Sequence, residues 1–137
     1  ADAQQRAQVR WLEKYADYEL APLCTFTVFR HRVLKTSMGQ PCDEDKVQQT
    51  LRDKLPGHFD YFETTLGDAP YFLGEQPSMA DLALASQLLN MEHGGETLDT
   101  ARWPKLATHY QRIKASASMQ QLLPRELRTL EKIGIKR

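Results

Sequence analysis

The side chains best suited to chemistry in this chain are one aspartate at the edge of an apolar run, two cysteines and four histidines. Asp81 separates Ser78-Met79-Ala80 from Leu82-Ala83-Leu84-Ala85-Ser86-Gln87-Leu88-Leu89. An aspartate at the edge of an apolar run could be catalytic. Its register with Ser78 points elsewhere. A serine followed three residues later by an acidic residue is a variant of the helix capping box. The Ser78 hydroxyl can accept from the Asp81 backbone N–H, and the Asp81 carboxylate from the Ser78 N–H. Ser78 and Asp81 are therefore read as a structural cap.

Cys24 and Cys42 show no C-x-x-C spacing and read as thiols of a reducing compartment. Cys24, within an apolar helical pattern, reads as packing rather than as a nucleophile. Of His31, His58, His93 and His109, no two stand at metal-ligand spacing with a third ligand nearby. No metal site is expected, and each histidine reads as a surface or rim group. There is no G-x-S-x-G elbow and no phosphate-cradling glycine loop. A Ser-His-Asp arrangement stays open at this level, but the residues alone make no self-contained catalytic constellation. Phe26, Phe29, Arg30 and Arg32 gather aromatic and basic groups on one helical stretch. They suit helix packing with solvated arginines, or a concave apolar binding wall.

The elements that must carry these residues are helical almost throughout. Val9, Leu12, Ala16, Leu20 and Leu23 recur every three or four residues. Pro22 predicts a kink or short break near Tyr18–Ala21, with helix resuming through Thr25–Lys35 and ending at Gly39-Gln40-Pro41. Asp43-Glu44-Asp45 is an acidic first turn matched to the helix dipole. Val47, Leu51, Leu55, Phe59, Phe62 and Leu66 then form the cleanest stripe, with Pro56-Gly57 predicting a bend or two helices in line. Gly67-Asp68-Ala69-Pro70 is a turn and Tyr71-Phe72-Leu73-Gly74 a short apolar crossing. The helix that Ser78 opens is apolar on nearly every side, so it is expected at the centre of the domain, stopping at Gly94-Gly95. Trp103-Pro104 opens another helix, with Leu106, Ala107, Tyr110 and Ile113 as its stripe. A final helix is expected after Pro124, carrying Leu127, Leu130 and Ile133 and a basic end, Lys136-Arg137. Nothing alternates with period two over strand length, so the chain is all-α.

At 137 residues the chain fits one domain with a substantial core. Lys and Arg number 18, as do Asp and Glu, which speaks against a nucleic-acid surface or a polybasic membrane segment. No apolar run approaches the ~18 residues that cross a bilayer. The opening Ala1-Asp2-Ala3-Gln4-Gln5-Arg6 has no initiator Met and no signal-peptide core. It reads as a start in mid-helix, and hence as a fragment of something longer.

Three separated pieces resemble the C-terminal domain of bacterial glutathione S-transferases. Tyr71-Phe72-Leu73-Gly74-Glu75-Gln76-Pro77-Ser78-Met79-Ala80-Asp81 is similar to the family's aromatic-leucine-glycine, loop, then Ser/Thr-x-Ala-Asp. Trp103-Pro104-Lys105-Leu106, continuing to Tyr110, Arg112 and Ile113, is similar to its aromatic-proline-x-leucine helix. Trp11-Leu12 through Asp17 and Leu20 to Pro22 is similar to the domain's long first helix. Lys114-Ala115-Ser116-Ala117-Ser118 replaces the usual Arg-Pro ending, so the last turn of that helix is expected to differ. The resemblance implies a bundle of about five to six helices around a buried central helix, over residues 1–137, with the N-terminal thioredoxin-like domain absent from this chain. It implies glutathione as co-substrate of the full-length protein, no covalently bound cofactor, a small hydrophobic electrophile as acceptor, a homodimer and a cytoplasmic detoxification role. No catalytic residue is expected here. By position, Phe26, Phe29, Arg30 and Val33 are candidates for the acceptor wall, with the C-terminal helix as a lid. Asp17 is a candidate for glutathione contact across the dimer. The alternative is a non-catalytic transferase-like interaction module of the kind attached to translation factors, tRNA synthetases or stress regulators.

Overall fold

Proline placement shapes the two long helical rods of the domain. A computed structural model describes residues 2–136; Ala1, and Arg137 of the expected basic end, lie outside the described residues. The first rod comprises α1 (Ala3–Tyr15), a π-helical turn (Ala16–Leu20), α2 (Ala21–Leu23) and a π-helical stretch (Cys24–Lys35). The second comprises α3 (Glu44–Gln49), a π-helical turn (Thr50–Lys54) and α4 (Leu55–Leu66). Both short π turns lie just ahead of a proline, Pro22 and Pro56. A proline lacks the N–H that would bond four residues back, and its ring presses on that carbonyl, so the preceding turn widens. Helix runs on through both prolines, so a change from α to π winding stands where a break or bend was expected.

The widened turns keep one face in register. Leu12, Ala16, Leu20, Cys24 and Val28 are spaced by four and all are buried. In a pure α-helix each such step drifts by about 40° around the axis; the wider π turns take this drift back. Val9 and Leu23, read as part of the stripe, are only partly buried beside it. The first helix also does not open in mid-turn: Asp2 and Gln5 form their own capping box, at 2.8 and 3.0 Å.

Against this face lies α5 (Met79–His93), with Ala80, Leu84, Ala85, Leu88, Leu89 and Met91 buried, as its all-round apolar sequence predicts. It ends in a Schellman motif, where Gly95 N–H reaches Glu92 O at 2.8 Å and Glu96 N–H reaches Met91 O at 3.2 Å. Gly95 supplies the positive φ of 88° that this ending requires. Then α6 (Pro104–Lys114) has no cap from its own flanking residue. The second rod caps it instead: the Glu63 carboxylate accepts from the N–H groups of Lys105 at 3.0 Å and Leu106 at 2.7 Å. Asp60 accepts from Trp103 Nε1 at 2.7 Å and holds the entry to that helix.

The last helix corrects the sequence reading. Rather than following Pro124, α7 runs Ala117–Lys132 with Pro124 inside it. Pro124 and Gln120 both face solvent, so the carbonyl that the proline leaves unbonded can bond to water. Leu130 is buried, whereas Leu127 and Ile133 are exposed, so the expected three-residue stripe is in fact one anchor. α6 stops at Lys114, and Ser116 opens α7, where the usual Arg-Pro ending is missing. Among the described residues the only strand-like feature is an isolated bridge between Tyr71 and Gly74, and no helix is long and apolar enough to cross a membrane.

Where the end of α5 meets the first rod, a Cβ on Gly94 would stand 2.7 Å from Val28 Cγ1 and 3.1 Å from Met91 O. Gly94→Ala should destabilise the fold by about 1–3 kcal/mol in urea unfolding. In a Val28→Ala background the same change should cost less than half as much; an equal loss in both backgrounds would refute the steric origin.

Candidate functional site

At the start of α5, Ser78 and Asp81 form the expected capping box, with Ser78 N–H donating to Asp81 Oδ2 at 2.7 Å. The Ser78 hydroxyl donates to the same oxygen at 2.9 Å. The carboxylate does more than cap. Its Oδ1 accepts from the Phe72 N–H at 3.0 Å and from His109 Nε2 at 2.8 Å. Asp81 and His109 are both fully buried. Burial pushes the Asp81 carboxyl up, but the bonds from His109, Phe72 and Ser78 outweigh it and hold the group below the ordinary aspartate value. It is an ionised acceptor with its lone pairs committed, not a poised acid.

His109 Nδ1 has no hydrogen-bond partner among the described residues, while its ring stands 5.2 Å from Phe72 and 6.3 Å from Tyr71. The reading of every histidine as a surface or rim group is therefore wrong for three of them: His31, His93 and His109 are buried. Each has a hydrogen-bond partner from another part of the chain. His31 Nδ1 accepts from the Asp43 N–H at 3.1 Å, and His93 Nε2 meets Glu126 at 2.8 Å. Only tertiary structure reveals such partners, because they lie 12 to 33 residues away in sequence.

The cysteines behave as packing groups. Burial pushes the Cys24 thiol up to about 12, and Cys42, partly buried beside Glu44, is also raised. Neither is an activated thiolate. Among the described residues no three His, Cys, Asp or Glu side chains gather as a metal site.

A cavity of about 260 Å³ opens where the first rod, α5 and α7 meet. Phe29 and Leu130 form its apolar wall, and Asn90, His93, Glu126 and Thr129 its polar one, with Arg125 at the mouth. The Phe29 and His93 rings lie 6.4 Å apart. A larger groove of about 420 Å³ beside Glu92 offers less chemistry. There the carboxylate is already taken by Tyr110 at 2.6 Å and Lys114 at 2.7 and 2.9 Å.

The family model for the glutathione S-transferase C-terminal domain matches residues 28–133. The chain belongs to this family. The transferase domain is 35% identical over 79 residues to glutathione S-transferase F9 of Arabidopsis thaliana, covering 57% of this chain and 35% of that protein. It is 28% identical to a glutathione S-transferase from Sinorhizobium meliloti, with a TM-score of 0.77 over 90% of this chain and 55% of that one. A glutathione S-transferase from Rhodospirillum rubrum shares the fold, at 22% identity, a TM-score of 0.79, and the same two coverages. The chain thus spans about half the length of these solved relatives.

Of the four transferase-wall candidates, Phe29 lines the cavity where the first rod, α5 and α7 meet, and Phe26, Arg30 and Val33 do not. Phe26 is 61% exposed and Arg30 also faces solvent. Val33 is fully buried in a small cluster with Leu130 and Ile135, beneath α7. Arg32 is locked to Glu44, to Glu96 at 2.7 Å and to Gly94 O at 3.0 Å. Asp17 is exposed on the first rod. The sequence reading missed Asn90, His93, Glu126 and Thr129. Their spacing offered a signal: Asn90 and His93 are one helical turn apart, as are Glu126 and Leu130.

Asp81→Ala strands four donors and should destabilise by about 3–5 kcal/mol, against about 1–2 kcal/mol for Ser78→Ala, in urea unfolding. Equal losses would reduce Asp81 to a simple cap. Because the folded carboxyl lies below its unfolded value, its stabilisation is present above the unfolded value and lost as pH falls through the folded one. Acid unfolding should therefore be shallower for Asp81→Asn than for the parent between pH 5 and pH 2; parallel curves would contradict this linkage.

Proposed function

We propose that this chain is the acceptor-binding and dimerisation half of a glutathione S-transferase whose complete form conjugates glutathione to a small hydrophobic electrophile. The observation that carries the reading is the cavity beside Phe29, roofed by α7, within a domain of this family. The match covers only 55% of each solved relative, which leaves room for a thioredoxin-like domain to hold glutathione and lower its thiol pKa by hydrogen bonding. This half would then act by proximity. Its apolar wall holds the electrophile, strips its water and keeps it near the thiolate. Val33 serves from behind, fixing Leu130 at the cavity edge; Phe26 and Arg30 face outward, where an adjoining domain or subunit could meet them.

The dimer is assigned to the first rod. Trp11, Tyr18 and Phe26 are each more than half exposed there, an unusual density of exposed aromatic surface. Asp17 sits among them and is the group proposed to reach the partner's glutathione. The reading includes a cytoplasmic, detoxifying role.

The test compares the full-length encoded protein with residues 1–137 alone, using an aryl halide and glutathione. Turnover is expected only from the full-length protein. Turnover by the isolated chain would overturn the division of labour. A full-length protein that folds and dimerises without turnover would establish the alternative, a non-catalytic interaction module. In the full-length enzyme, Phe29→Ala should raise KM for the aryl halide several-fold, with KM for glutathione unchanged.

A further inference from the structure

The cavity beside Phe29 has a polar side that a purely apolar acceptor would leave unused. The Asn90 amide nitrogen donates to Thr25 Oγ1 at 2.8 Å, and Thr25 passes its own proton to Gln87 Oε1 at 2.6 Å. This relay uses one of the two Asn90 N–H groups and leaves its amide oxygen available. The Glu126 carboxylate meets His93 through Oε2, leaving Oε1 without a hydrogen bond among the described residues. The Thr129 hydroxyl proton goes to Arg125 O at 2.9 Å, so Thr129 also offers only lone pairs and a methyl. Around a volume of about 260 Å³ the Asn90 amide oxygen, Glu126 Oε1 and Thr129 Oγ1 thus stand as acceptors opposite Phe29 and Leu130, with Arg125 as the charged donor at the mouth. Such acceptors reward a ligand that brings a donor and penalise one that buries them unpaired. The volume lies just below the ~300–1,000 Å³ of drug-sized sites, which fits one ring.

We propose that this acceptor site selects single-ring aromatic electrophiles that carry a hydroxyl or amino donor, read by the Asn90 amide oxygen and the Glu126 carboxylate. The inference rests on the acceptor-site reading above and deepens it. Phe29 and Leu130 sandwich the ring. Arg125, at the mouth, meets the electron-withdrawing carbonyl or nitro group that makes such a ring electrophilic.

The probes are 4-hydroxyacetophenone and 4-methylacetophenone, which differ only in hydroxyl against methyl, titrated into the 15N-labelled chain at pH 6.5. Shifts should concentrate on Phe29, Asn90, Glu126 and Leu130, with the hydroxyl probe binding about ten-fold more tightly. Glu126→Leu and Asn90→Leu should each reduce that ratio at least three-fold while leaving the methyl probe's affinity equal or higher. Two independent variants guard against a single folding failure, which the parent-like spectrum of the other would expose. Equal affinities of the two probes at this cavity would overturn the selectivity and leave the acceptor site standing. Absence of shifts at the cavity with either probe, up to solubility, would overturn both.

Discussion

Four hydrogen-bond donors from three parts of the chain converge on the Asp81 carboxylate, which has no contact with solvent. A buried charge is tolerable only when its lone pairs are filled, and here they are: Ser78 fills one oxygen, Phe72 and His109 the other. The consequence is positional. The loop after α4 must bring Phe72 to the start of α5, and α6 must bring His109 there too. An apolar helix such as α5 can slide or rotate in its socket at little cost, since one leucine is much like the next. A charge that must find four donors cannot.

The second constraint is covalent. Pro22 and Pro56 each follow a π-helical turn, and the first of these turns keeps a four-residue stripe on one face of the long rod. With that face turned to α5, Phe29 lies beside the stripe at the edge of the core, and α7 closes over it through Leu130. The cavity is thus a product of the rod's winding and one anchor on the last helix. Its polar lining comes from α5 and α7, the two elements that no local pattern on the first rod could specify.

Legibility in the sequence followed the range of the interaction. The capping box, the glycine ending of α5, the proline opening of α6 and the central place of α5 depend on residues within a few positions of each other, and all could be read directly. The His109–Asp81 and His93–Glu126 pairs, and the capping of α6 by Glu63, join residues 28 to 43 apart and left no local trace. The continuous helix through Pro124 was misread because proline's penalty depends on whether water can reach the freed carbonyl, which is a property of the surface and not of the residue. The separate surroundings of Val33 and Phe29 were hidden for a related reason: they share a helical stretch, but Val33 is buried with Leu130 and Ile135 while Phe29 lies at a cavity.

The central claim is that the Asp81–His109 pair acts as one joint between α5 and α6. A double-mutant cycle with Asp81→Ala and His109→Phe, followed by urea unfolding, tests it most directly. A joint predicts that the second mutation costs about 2 kcal/mol less once the first is present. Losses that add to within about 0.5 kcal/mol would show two independent sites and contradict it.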